Sequence, residues 1–91
     1  MKAVNIRKDK YTVYIGRGSV FGNPFKIGIE GATREQVIKE YEDRVREEIN
    51  NTLGQRIYNL PEDAILGCYC KPQACHGDII IKIWKEMHHV A

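Results

Sequence analysis

The chain of 91 residues predicts an α/β fold: a small mixed three-stranded sheet with two main helices, in the order β-β-α-β-α. Three observations lead there. Two short apolar alternations flank a polar turn near the amino terminus, two later stretches carry helical periodicity, and an almost wholly apolar segment of strand length lies between those stretches.

Val4 and Ile6, then Val13 and Ile15, alternate on either side of Lys8-Asp9-Lys10, which predicts two strands joined as a β-hairpin. Gly16 to Gly31 contains five glycines and one proline, so it predicts an ordered surface loop. Thr33-Arg34-Glu35-Gln36 has the form of a capping box and opens a helix. Ile38, Tyr41, Val45 and Ile49 recur at helical spacing, while Glu35 with Lys39, Glu40 with Arg44 and Glu42 with Arg46 form i,i+4 pairs on the wet side. Asn50, Asn51 and Gly54 are read as its end.

Pro61-Glu62-Asp63 marks a turn before the apolar run Ala64 to Cys70, a strand expected to be buried on both faces. After Lys71-Pro72-Gln73-Ala74, the residues Ile79, Ile80, Ile83, Trp84 and Met87 predict a closing helix. A strand–helix–strand passage of this length favours a right-handed crossover to a neighbouring parallel strand. The elements make a single domain, 1–91, with an open edge or face that a second copy in a homodimer could cover.

A hydrophobic share of 43% with 29% charged residues excludes a disordered or collagen-like chain. No apolar run approaches the roughly 20 residues of a bilayer span, and the start lacks a signal-peptide pattern, so a cytoplasmic protein without membrane partners is expected. The net charge of +2 does not announce a nucleic-acid binder. The charge is uneven: residues 1–26 carry six basic groups against one acidic, and residues 27–63 five against nine. Three cysteines within eight residues are a poor disulfide framework and point to thiol chemistry, metal or packing.

Two segments could carry chemistry. In the first, Gly16 to Phe25, glycines permit close backbone approach, while Arg17, Ser19 and Asn23 offer donors suited to phosphate, carboxylate or ribose oxygens. It is neither a Walker loop nor a dinucleotide fingerprint, and its structural alternative is a turn-rich Ω-loop pinned by Phe21 and Phe25. The second runs from Cys68 through Cys70 to Cys75-His76-Gly77-Asp78, off the end of a buried strand and into a helix start. Amides and dipole there favour an anion and an activated Cys75 thiolate. His76 is a candidate acid, base or donor, and Asp78 a cap or an orienting group for His76.

Cys68, Cys70, Cys75 and His76 make a Cys₃His count, but the Cys-x2-Cys knuckle of structural zinc sites is absent, so neither metal nor cofactor is expected. Tyr41, Tyr58 and Trp84 read as packing residues, and His88 and His89 as solvated.

Tyr14-Ile15-Gly16-Arg17-Gly18-Ser19, Phe21-Gly22-Asn23-Pro24-Phe25, Thr33-Arg34-Glu35, Tyr41, and Leu66 to Pro72 followed by Cys75-His76-Gly77-Asp78 together resemble the domain of unknown function 4326 family. The resemblance spans nearly the whole chain and implies a phage or bacterial mobile-element setting, hence a host cytoplasm, but no reaction. Tyr69 stands where that family often has Trp. The ending is also similar to a second family with a Cys-His-Arg signature, from which Gly77 departs. The resemblance adds Arg34 to the candidate ligand-binding set of Gly16, Arg17, Gly18, Ser19, Asn23 and Cys70, beside Cys75, His76 and Asp78 as candidates for catalysis.

If both loops leave the carboxyl edge of a parallel pair, one pocket receives them. The expected ligand is a phosphorylated nucleotide or ADP-ribose-like molecule, with hydrolysis or transfer as the expected chemistry of any turnover. The alternatives are a non-catalytic phage protein that sequesters a signalling nucleotide or blocks a host protein, and a small Cys₃His zinc domain.

Overall fold

The computed structural model describes residues 1–16, 18–22, 33–69 and 75–88. It is an α/β fold in the order β1 (Lys2–Asn5), β2 (Val13–Tyr14), α1 (Arg34–Glu47), α2 (Thr52–Tyr58), β3 (Ile65–Cys68) and α3 (His76–Met87). Among the described residues, no helix is long and apolar enough to cross a membrane.

The sheet is wholly parallel, with strand order β1-β3-β2. The expected hairpin is therefore not formed, and the sheet is not mixed. β3 lies between the first two strands, pairing Lys2–Asn5 with Ile65–Cys68 on one side and Val13–Tyr14 with Leu66–Gly67 on the other. Asn5 starts the detour: its carbonyl accepts from the amides of Lys8 and Asp9, each at 3.0 Å, and its Oδ1 accepts from Arg7 N at 2.9 Å. The chain then crosses over β3 and re-enters at the far edge, where Thr12 N donates to Ile65 O at 2.9 Å and Thr12 Oγ1 accepts from Ile65 N at 2.9 Å. The crossing needs Gly67, since a Cβ there would sit 2.6 Å from both Ile6 Cγ2 and Tyr11 Cγ. Period-two alternation sorts side chains between faces but names neither partner nor direction, which is why Val4/Ile6 and Val13/Ile15 looked like a hairpin.

The other face carries the core. Leu66 and Cys68, next to each other on that face, are 0% and 1% exposed and pack with Ile15, Tyr41, Val45, Ile57, Ile80 and Ile83. α1 begins with the expected capping box: Gln36 N donates to Thr33 Oγ1 at 3.2 Å and Thr33 N to Gln36 Oε1 at 2.8 Å. Of the anticipated surface pairs Glu42 with Arg46 forms at 2.7 Å, while Lys39 pairs with Asp43 and Arg44 with Glu48. Glu42 also receives Lys82 at 3.1 Å, which ties α1 to α3. Gly54, expected from sequence to help end the helix, instead lies buried inside the additional helix α2. His88 is also unlike its expectation. Half-buried rather than solvated, it stacks on Tyr58 and Trp84 with ring centroids 4.3 and 4.1 Å away. His89 lies outside the described residues.

Candidate functional site

β2 and β3 are adjacent and parallel, so the segments that follow them leave the same edge of the sheet. Past β2, Ile15 N still bonds Gly67 O at 3.0 Å, and the chain then tightens. Ser19 N donates to Gly16 O at 3.2 Å, closing a four-residue turn whose third residue, Gly18, has φ +86°. That region is strained for side chains other than glycine's. Ser19 Oγ donates to the same Gly16 carbonyl at 2.7 Å, so its hydroxyl holds the turn. Gly22 N returns to Ser19 O at 3.0 Å. Arg17, Asn23, Pro24 and Phe25 lie outside the described residues.

Past β3, Cys75 is the extended N-cap of α3, and Asp78 Oδ2 accepts from its amide at 3.2 Å. Of the two roles anticipated for Asp78, capping is the one with this contact. His76 is 8% exposed, and its Nε2 lies 2.6 Å from Ile15 O. A carbonyl only accepts, so Nε2 carries the proton and donates. Gly77 is buried where α3 meets the sheet: an added Cβ would be 2.9 Å from Ile15 Cδ1 and 3.0 Å from Ala3 Cβ. The arginine of the second resembling family has no room here.

Tyr41 completes the junction from α1. Its ring meets His76 edge-on at a centroid distance of 5.0 Å, and its hydroxyl donates to Phe21 O at 2.8 Å. One aromatic pair thus joins α1, α3, the exit of β2 and the loop after it. Sequence reading placed Tyr41 in the core but missed this role, because its partners lie 20 and 35 residues away. Burial pushes the Tyr41 phenol well above its usual range despite Arg44 nearby, which keeps it a neutral donor.

Burial also holds the His76 imidazole below its usual 6.5, against the opposing pull of the Ile15 carbonyl and the Asp78 charge. The ring is therefore neutral at pH 7, with Nδ1 as its lone pair. The folded value lies below the unfolded one, so the unfolded chain takes up its proton first as pH falls through 6.5. Stability from His76 is complete above pH 6.5 and declines below it until the folded value is passed. The loss is about 1.4 kcal/mol per pH unit separating the two values. Urea midpoints measured from pH 7.5 down to about 5 should fall in the wild type, and His76→Asn should flatten that limb.

The sulfurs of Cys68 and Cys75 lie 3.3 Å apart, and both cysteines are reduced and buried, at 1% and 2% exposure. Cys68 is the buried strand residue expected. Cys75, anticipated as a nucleophile, has its sulfur covered rather than open to a substrate. Cys70 lies outside the described residues, and among those described no three metal-ligating side chains cluster. Arg34 is the first residue of α1, half-buried beside the cap Thr33.

The model of a family described as a domain of unknown function (DUF4326) matches residues 2–86. An "Uncharacterized 12.4 kDa protein in nrdA-td intergenic region" of Enterobacteria phage T4 is 34% identical over 83 residues, covering 90% of this chain and 75% of that relative. No solved structure matches.

Proposed function

The chain belongs to the DUF4326 family, which names no reaction, and we propose from its own side chains that it binds a small phosphorylated ligand of the nucleotide or ADP-ribose type. The observation that carries this reading is the 2.6 Å bond between His76 Nε2 and Ile15 O, which joins the start of α3 to the exit of β2. Both motifs then border one edge of a parallel sheet, where open α/β folds seat their ligands. Amides of the first turn of α3 and the positive end of its dipole suit a phosphate. Arg17, two residues past Ile15, supplies the guanidinium for it, and Asn23 a donor for a hydroxyl or base.

Binding without turnover is the favoured form. Cys75 is covered by Cys68, Asp78 is engaged in the cap, and Nε2 of His76 is spent on Ile15. These groups build the rim of a site rather than attack what enters it. A protein of this kind would sequester its nucleotide.

Native mass spectrometry of freshly purified protein should show a nucleotide-sized adduct free of metal. A ligand at one hundred times its Kd stabilises the fold by about 2.7 kcal/mol, read as a rise in melting temperature. ADP-ribose and a panel of nucleotides should give that rise in the wild type and none in Arg17→Ala, with unaltered ligand recovered afterwards. No shift with any of them, or an equal shift in the variant, overturns the reading; a zinc-sized mass increment replaces it with a metal site on the cysteines.

A further inference from the structure

The face of the sheet turned away from the helices carries three tyrosines in succession. Tyr11 and Tyr14 have ring centroids 6.4 Å apart, and Tyr14 meets Tyr69 edge-on at 6.5 Å. Tyr11 and Tyr69 are 43% and 54% exposed, and through Tyr14 they form one contiguous group rather than scattered single side chains. The side chain of Tyr69 is not part of the core: its backbone carbonyl accepts from Asn5 Nδ2 at 3.3 Å, and the residue is more than half exposed.

Positive charge lies beside these rings. The Arg7 guanidinium lies over Tyr69, 5.5 Å from the centroid. Exposed Lys8 and Lys10 follow on the same crossing, with Asp9 as the one acidic residue between them. The crossing from Ile6 to Tyr11 borders a shallow, open depression of about 520 Å³. Lys2, exposed at the start of β1, pairs in register with Ile65 and so belongs to the same face as Gly67 and Tyr14.

Exposed aromatic faces among basic side chains are what a single-stranded polynucleotide requires, since bases stack on the rings and phosphates meet the cations. We propose that this face, formed by Tyr11, Tyr14, Tyr69, Arg7, Lys8 and Lys10, binds single-stranded nucleic acid. The chemistry favours this partner over a duplex, whose bases are already stacked and unavailable to the tyrosines. The modest net charge of +2 hides this local excess, because nine of the twelve acidic residues fall in residues 27–63. The proposal is argued from the tyrosines and cations of this face alone and does not rest on the nucleotide reading.

The test is fluorescence anisotropy of a labelled oligodeoxythymidylate of about 20 nucleotides, long enough to exceed the site size of small single-strand binders. Binding at 50 mM salt should weaken about 20- to 50-fold at 200 mM, as three or four phosphate contacts require. Tyr69→Ala should weaken it at least about fivefold, the loss of one stacked base, with the melting temperature unchanged. The combined Arg7→Gln, Lys8→Gln and Lys10→Gln variant should remove most of the salt dependence. No binding by folded wild-type protein at 50 mM salt overturns the proposal. So does equal affinity for a duplex of the same length, or unaltered affinity in both variants. The nucleotide panel and Arg17→Ala report on the other site, so failure of one reading is distinguishable from failure of the other.

Discussion

Alanine at Gly54 should destabilise the domain by about 3 kcal/mol or more, seen as a urea midpoint lowered by a molar unit or beyond, or as loss of cooperative unfolding. Propensity alone argues the reverse, since Ala is favoured over Gly in a helix by about 1 kcal/mol. Contact decides the sign. A Cβ on Gly54 would run into the carbonyl group of Ile49 and stand 2.8 Å from its Cα, and the obstacle is backbone, which no rotamer change relieves. α2 would have to lift from the end of α1, uncovering Leu53 and Ile57. A midpoint equal to the wild type would mean that the corner between α1 and α2 is wider than described.

Tyr41→Ala should cost about 3–5 kcal/mol, the range for deleting a buried aromatic ring. Tyr41 is 1% exposed at the centre of the core, so little can move in to fill its space. Tyr41→Phe separates the ring from the hydroxyl. It keeps the edge contact with His76 but leaves the Phe21 carbonyl without its 2.8 Å donor, a loss of about 1–3 kcal/mol. Phe should therefore recover part of the stability lost in Ala. In the Phe variant, amide hydrogen exchange should rise selectively in residues 18–22, which the hydroxyl ties to α1. Uniform exchange across the chain would assign the bond to global stability instead.

The elements whose signals are local were legible in sequence. Thr33 and Gln36 lie one turn apart and announce the capping box, and Ile79, Ile80 and Ile83 trace the buried stripe of α3. What depends on distant partners was not. Gly67 looks like any glycine in an apolar run until Ile6 and Tyr11, more than fifty residues earlier, are laid across it. Gly54 resembled a helix stop because its packing against Ile49 leaves no trace in composition. His76 could be marked as reactive from its place beside Cys75, but its bond to Ile15, 61 residues away, is what joins the two motif-bearing segments. The tyrosine face was invisible for a related reason: Tyr69 joins Tyr11 and Tyr14 only once β3 enters the sheet, and a net charge averages Arg7, Lys8 and Lys10 away.

The central position of β3 also governs how the chain can come together during synthesis. Among the described residues, β1 and β2 have no strand partner except β3, and the pairings Lys2 with Ile65 and Val13 with Leu66 span 63 and 53 residues. Until the ribosome has released residue 68, both early strands wait without a strand partner, their backbone bonded to water, and Tyr11 has no Gly67 beneath it. Pairings so remote in sequence pay a large loop-closure entropy before any contact rewards it, which makes folding slow for a domain of this size. The sheet therefore assembles only after residue 68 has emerged, whatever helical structure α1 and α2 have gained before it.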